Sequence, residues 1–133
     1  MVYHLKLYLA TLAAFLAIDM VWLGVVARAF YRQHLGYLMA PRANWLAAGL
    51  FYLLFIVGIL VFVVLPGLEA HSLKATLWRG ALFGLVSYAT YDLTNLATIK
   101  DWPLLVTVVD MVWGAALSAA VSAVGYWAGR CLA

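Results

Sequence analysis

Four runs of about 20 largely apolar residues dominate the chain, near positions 5–27, 45–65, 75–97 and 103–127, and most polar residues collect between them. A helix rises about 1.5 Å per residue, so each run is long enough to cross a hydrocarbon core of about 30 Å. A helix on the surface of a soluble domain would alternate an apolar stripe with a charged face. These runs carry almost no charge on any face. The pattern predicts an all-α membrane protein, a single transmembrane domain over residues 1–133 built as a four-transmembrane-helix bundle. In the connection from Arg28 to Asn44, Phe30, Tyr31, Leu35 and Leu38 recur at helical spacing and are interrupted by Arg28 and Arg32. That spacing predicts a helical extension or a short helix lying in the membrane interface. Pro66 and Gly67 are expected to stop the second span. Asp101 and Pro103 read as the N-cap region and first-turn proline of the fourth. Trp45, Trp78, Trp102 and Trp127 fall near predicted ends, where indole rings favour the interface.

Composition strengthens this reading. The chain is 68% hydrophobic and 10% charged, against about half and a quarter in soluble domains. A fold of this size cannot hide so much apolar surface from water, because small domains bury the smallest share of their surface. Lipid is therefore the expected partner. The net charge of +3 comes from eight scattered Lys and Arg residues, which form no nucleic-acid footprint. The lone Cys131 excludes an internal disulfide framework. The first run is longer than the ~7–15 residues of a signal-peptide core and contains Asp19, so it is read as a retained helix. Four spans would put Lys6, Lys74, Arg79 and Arg130 on one side and Arg28, Arg32, Arg42 and Lys100 on the other. That balance leaves the orientation open.

The candidate chemistry lies inside the spans. Asp19, Asp92 and Asp110 fall at similar depth, toward the side of the 28–44 connection, whichever way the chain is inserted. An Asp at the centre of a membrane helix costs roughly 2.5–3.5 kcal/mol on insertion scales, so all three should face the bundle interior and find partners. Asn95 lies one turn from Asp92, and Tyr88, Asp92 and Asn95 form one helical stripe; Thr107, Asp110, Trp113 and Gly114 form another. No Lys or Arg lies deep in a span. Relief must come from protonation, a bound cation, Arg28 or Lys100 reaching down, or hydroxyl and amide donors. At least one carboxyl is expected to hold a proton at neutral pH unless a cation or arginine is bound. The candidate ligand-binding residues are Asp19, Trp22, Tyr88, Asp92, Asn95, Asp110 and Trp113. Asp19, Asp92 and Asp110 are also the candidates for general acid–base catalysis, and for any metal. The competing reading is a hydrogen-bond network that only holds helices together.

Two further patterns bear on this layer. Asp19-Met20-Val21-Trp22 recurs as Asp110-Met111-Val112-Trp113. Its register fits neither an inverted duplication nor tandem hairpins. It reads as two local solutions to one problem, an Asp with a Trp one turn on that can shield a carboxyl or hydrogen-bond nearby. Gly80 with Gly84, and Gly114 with Ser118 and Ser122, make small-residue rows suited to close helix packing. The chain has no Gly-rich phosphate loop and no zinc signature. His4, His34 and His71 lie outside the spans. His34 is on the acidic layer's side and is expected to face solvent.

The run Tyr88-Ala89-Thr90-Tyr91-Asp92-Leu93-Thr94-Asn95 stands with Asp101-Trp102-Pro103, Asp110-Met111-Val112-Trp113-Gly114, Asp19 with Trp22-Leu23-Gly24, and Phe51-Tyr52. Together these resemble a bacterial family of predicted membrane proteins, domain-of-unknown-function family 2177. The resemblance implies a multi-pass protein of the bacterial inner membrane and supplies no activity, cofactor or catalytic residue. Three functions are then expected to compete. The acidic layer binds a proton, a cation or a lipid-like small molecule, for binding or transport. Alternatively, an aspartate serves as general acid or base in a membrane enzyme acting on a lipid or another apolar substrate. Or the chain is a structural accessory subunit of a membrane complex. Four spans are few for a transporter, so transport implies a homodimer or a larger assembly.

Overall fold

A computed structural model describes all residues 1–133, and it is all-helical. Helix α1 covers Val2–Val21 and closes with a wide π-helical turn over Trp22–Val26. Helix α2 covers Arg28–Leu35. Helix α3 runs through Trp45–Ile59, a second π-turn at Leu60–Val64, and a last α-turn at Leu65–Glu69. Helices α4, Leu73–Thr98, and α5, Leu104–Leu132, complete the chain. Three stretches are long and apolar enough to cross a membrane: Val2–Val26, Trp45–Glu69 and Leu104–Leu132. Helix α4 is as long but carries Arg79, Asp92 and Asn95, so it falls short on apolarity.

Only 28 of 133 residues are buried within the chain, so most of the apolar surface faces outward, as lipid contact requires. Leu46, Leu50, Leu54, Val57 and Val61 expose one continuous apolar flank of α3. The interior is narrow. Leu7, Phe15, Phe55, Ile56, Ile59, Leu60, Val64, Leu117 and Val121 form its apolar cluster, where α1, α3 and α5 meet. The buried face of α1 repeats every fourth residue, Leu7, Thr11, Phe15 and Asp19, so the same face that builds the core delivers a carboxylate at its far end. On α4 the repeat is Thr76, Gly80, Gly84 and Asp92.

Helices α4 and α5 lie antiparallel in close contact. A Cβ on Gly80 would come within 3.0 Å of the Ser118 carbonyl oxygen. One on Gly84 would collide with the Gly114 carbonyl and the Ser118 side chain, and one on Gly114 with the Tyr88 ring. The two small-residue rows are thus the two sides of one seam, and its register carries on to set Asp92 against Asp110.

Several expected boundaries shift. Pro66 and Gly67 do not stop the second span, since the helix runs on to Glu69. The π-turn ahead of Pro66 makes it a first-turn residue, where its missing N–H does no harm. Gly67 packs directly against Thr76 at the start of α4. The stop comes at His71 (φ 52°), after which the Ser72 hydroxyl caps α4 by accepting from the Ala75 amide at 3.0 Å. Asp101 is no cap: it sits at φ 62°, and Pro103 itself is the boundary residue of α5. Trp45, Trp78 and Trp127 are exposed at helix ends, but Trp102 is buried. Its indole N–H donates to Thr107 Oγ1 at 3.1 Å, and Tyr91 packs edge-on against its ring.

Candidate functional site

The acidic layer is built where α1, α2, α4 and α5 meet. Asp92 is completely buried, and neither of its carboxylate oxygens has a hydrogen-bond partner. It faces the carboxyl of Asp110 across the seam. Asp110 is half-buried and accepts a 2.6 Å hydrogen bond on Oδ1 from the Tyr31 hydroxyl. The Trp22 indole N–H donates to the Tyr31 oxygen at 3.1 Å. A chain of donors therefore runs from Trp22 through Tyr31 to Asp110 and stops at Asp92, which receives nothing.

Asp19 is buried beside this pair and electrostatically coupled to Asp110. It accepts from the Trp113 indole N–H at 3.4 Å, the long end of bonding range. The rings of Trp22 and Trp113 stack, with centroids 4.2 Å apart and planes 8° from parallel. The repeated Asp-Met-Val-Trp motif thereby gains a structural meaning. Each tryptophan serves the other motif's aspartate, Trp113 directly and Trp22 through Tyr31. The stacked rings separate two open apolar grooves. One of about 480 Å³ is lined by Ala17, Ile18, Val21, Trp22, Val26 and Trp113. The other, of about 290 Å³, is lined by Trp22, Val108, Val109, Val112, Trp113 and Ala116.

Tyr88 lies within electrostatic reach of all three carboxylates. Asn95 does not join the layer as expected. It neighbours Tyr91, and the Asp92 carboxyl receives no bond from it. Of the open ways to relieve the charge, a basic residue reaching down is not the one seen, since Arg28 and Lys100 are exposed. His34 turns its Nδ1 to the Phe30 carbonyl at 2.9 Å, within its own helix. No three His, Cys, Asp or Glu side chains converge in a metal-holding group, so Asp19, Asp92 and Asp110 do not form a carboxylate cage. What the layer offers is a carboxyl pair of which only Asp110 has a donor, one separate carboxylate and a wall of aromatic donors.

The chain belongs to the family described as predicted membrane protein (DUF2177), which it matches over residues 4–127. No curated protein and no solved structure matches it. The matched stretch of this DUF2177 chain includes every residue of the acidic layer, among them two that spacing alone did not single out. Tyr31 reaches Asp110 from α2, and Tyr52 lies close enough to feel the charge of Asp19. Burial pushes the Tyr31 phenol well above its usual range, and the bond to Asp110 pushes it further. Tyr31 therefore remains a neutral donor at any physiological pH. The hint available in the sequence was its place on the apolar side of the connection, on the side the carboxylates face.

Proposed function

We propose that this protein is a four-span integral membrane protein whose Asp92–Asp110 pair binds an exchangeable proton, for proton binding or proton-coupled transport. The observation that carries the reading is the fully buried Asp92 carboxyl, without a partner and facing a second carboxyl. Two adjacent carboxylates cannot both stay ionised in a low-dielectric interior, and one shared proton both lowers the charge and supplies the missing hydrogen bond. The fourth span is supported by the seam. Helix α4 has 26 residues, about 39 Å of helix, and lies antiparallel to a stretch apolar enough to cross the bilayer. Gly80, Gly84 and Asp92 of its buried face lie along the seam. Helix α2, with Arg28 and Arg32 exposed on one side and Tyr31 turned inward, fits an interfacial position. The family resemblance favours the bacterial inner membrane.

Infrared difference spectroscopy of the protein in lipid tests the proton. The C=O stretch of a protonated carboxyl should be present at neutral pH, disappear on alkaline titration, and be absent from Asp92→Asn. A spectrum in which all aspartates titrate as ordinary exposed carboxylates would refute the reading. The two apolar grooves flanking the Trp22–Trp113 stack favour a second reading, in which a lipid-like molecule lies along the stack beside the carboxylates.

A further inference from the structure

We propose that Tyr31 is the positioning residue of this pair: it fixes the negative charge on Asp110, leaves the shared proton on Asp92, and shields both from water on the α2 side. The inference rests on the proton-binding reading. The Tyr31–Asp110 distance of 2.6 Å falls in the range of an O–H bond donated to an ionised acceptor. The direction of that bond follows by elimination. Trp22 Nε1, 3.1 Å from the Tyr31 oxygen, is a donor only, so the phenol proton is free to point at Asp110. Asp110 thus holds a donor that Asp92 lacks. Placing the charge on Asp110 and the proton on Asp92 satisfies the acid O–H, the carboxylate and the phenol together. The reverse assignment would put the charge on the completely buried Asp92 with the Asp110 O–H as its one donor, whereas a charge on the half-buried Asp110 has two, Tyr31 and the Asp92 O–H.

The groups around the pair leave no rival for this role. Helix α1 contributes Asp19, α3 contributes Tyr52 beside Asp19, and α4 contributes Tyr88 and Tyr91. None of these hydroxyls is hydrogen-bonded to either carboxyl of the pair. Arg28 and Arg32 of α2 are exposed, and His34 is held by the Phe30 carbonyl. No cation therefore takes the charge from Asp110. Exchange with the aqueous phase requires Tyr31 to leave Asp110, a water to take its place, and the proton to pass from Asp92 to Asp110 and on to that water. Helix α2 is joined to α1 through the π-turn ending at Ala27, and to α3 through the nonhelical stretch 39–44, so it can lift without unwinding either span.

The test is the rate at which the protonated-carboxyl band shifts when the protein in lipid is moved into heavy water. Tyr31→Phe removes a charge-assisted bond that opening must otherwise break, so exchange should accelerate about ten- to hundredfold. Trp22→Phe keeps the phenol but frees its orientation, should accelerate exchange less, and serves if Tyr31→Phe does not fold. Tyr37→Phe loosens the same connection elsewhere, at the bond to the Asp101 carbonyl, and should accelerate exchange far less than Tyr31→Phe. The band should survive in Asp110→Asn and vanish in Asp92→Asn. Wild-type exchange in both Tyr31→Phe and Trp22→Phe would overturn the proposal. So would equal acceleration by Tyr37→Phe, or a band that vanishes only in Asp110→Asn. A wild-type protein with no band at all would overturn the proton-binding reading beneath it.

Discussion

Replacing Gly84 with alanine probes the seam without touching either carboxyl. The added Cβ would overlap the Gly114 carbonyl and lie 2.6 Å from Ser118 Cβ. The first of these is backbone in the middle of α5 and cannot rotate away, so α4 and α5 must move apart. Overpacking of this kind costs about 1–3 kcal/mol, less the ~1 kcal/mol by which alanine favours helix over glycine. A net loss of about 0–2 kcal/mol is expected. Gly49→Ala supplies the control. A Cβ there meets nothing within 4 Å, so only the propensity gain of up to about 1 kcal/mol remains. The propensity gain is common to both, so the two single-methyl changes should differ by the overpacking cost, about 1–3 kcal/mol, with Gly84→Ala the less stable. Reversible unfolding in mixed micelles, or steric trapping in bicelles, measures both. Because Asp92 is two turns along from Gly84 on the same face, Gly84→Ala should also perturb the carboxyl band while Gly49→Ala leaves it alone. A Gly84→Ala protein as stable as Gly49→Ala, with an unchanged band, would refute the close α4–α5 packing and the registration of the carboxyl pair that depends on it.

Native mass spectrometry of protein released from its own membrane should find a lipid-like molecule on the wild type if the grooves beside Trp22 and Trp113 hold one, and Trp113→Ala should release it. A bare wild-type protein would remove that reading and leave the proton-binding one intact. Single cysteines in a Cys131→Ser background test the four-span topology. A label that cannot cross the membrane should reach position 71, and Cys131 in the unsubstituted chain, from one side and positions 42 and 101 from the other. Labelling of 71 and 101 from the same side would mean that α4 does not span.

The helices were legible in the sequence because the signal was crude and repeated. Long, largely apolar runs marked α1, α3 and α5, and a run weakened by more polar residues marked α4. The breaks were harder. Proline and glycine ordinarily end helices, but Pro66 follows a π-turn and Gly67 packs against Thr76, and neither circumstance is written locally. The carboxylates were legible because charge in an apolar run is costly wherever it occurs. Their separation into a pair, Asp92 with Asp110, and a single, Asp19 with Trp113, was not. That division depends on which faces of three helices meet, and the α4–α5 glycines set it from two turns away.

The repeated Asp-Met-Val-Trp motif carries the same lesson further. Read along one helix, an aspartate with a tryptophan one turn on suggests a local pair. In the folded protein neither tryptophan bonds its own aspartate; they stack at the α1–α5 crossing and reach across it. The exchange is unequal, since Trp113 bonds Asp19 directly and Trp22 requires Tyr31 to reach Asp110. The inequality follows from placement. Asp110 faces Asp92 across the seam, and the only donor it receives comes from outside the spanning helices. A bundle that served only to hold helices together would gain by closing both motifs symmetrically and by giving Asp92 a partner, because an unpartnered buried polar group costs about 1–3 kcal/mol. Asp92 carries that cost alongside the unpartnered hydroxyls of Ser118 and Ser122 in the same seam, and the donor to its neighbour Asp110 comes from the short helix α2. The proposed proton exchange calls for such a donor, one that can leave Asp110 without disturbing the seam.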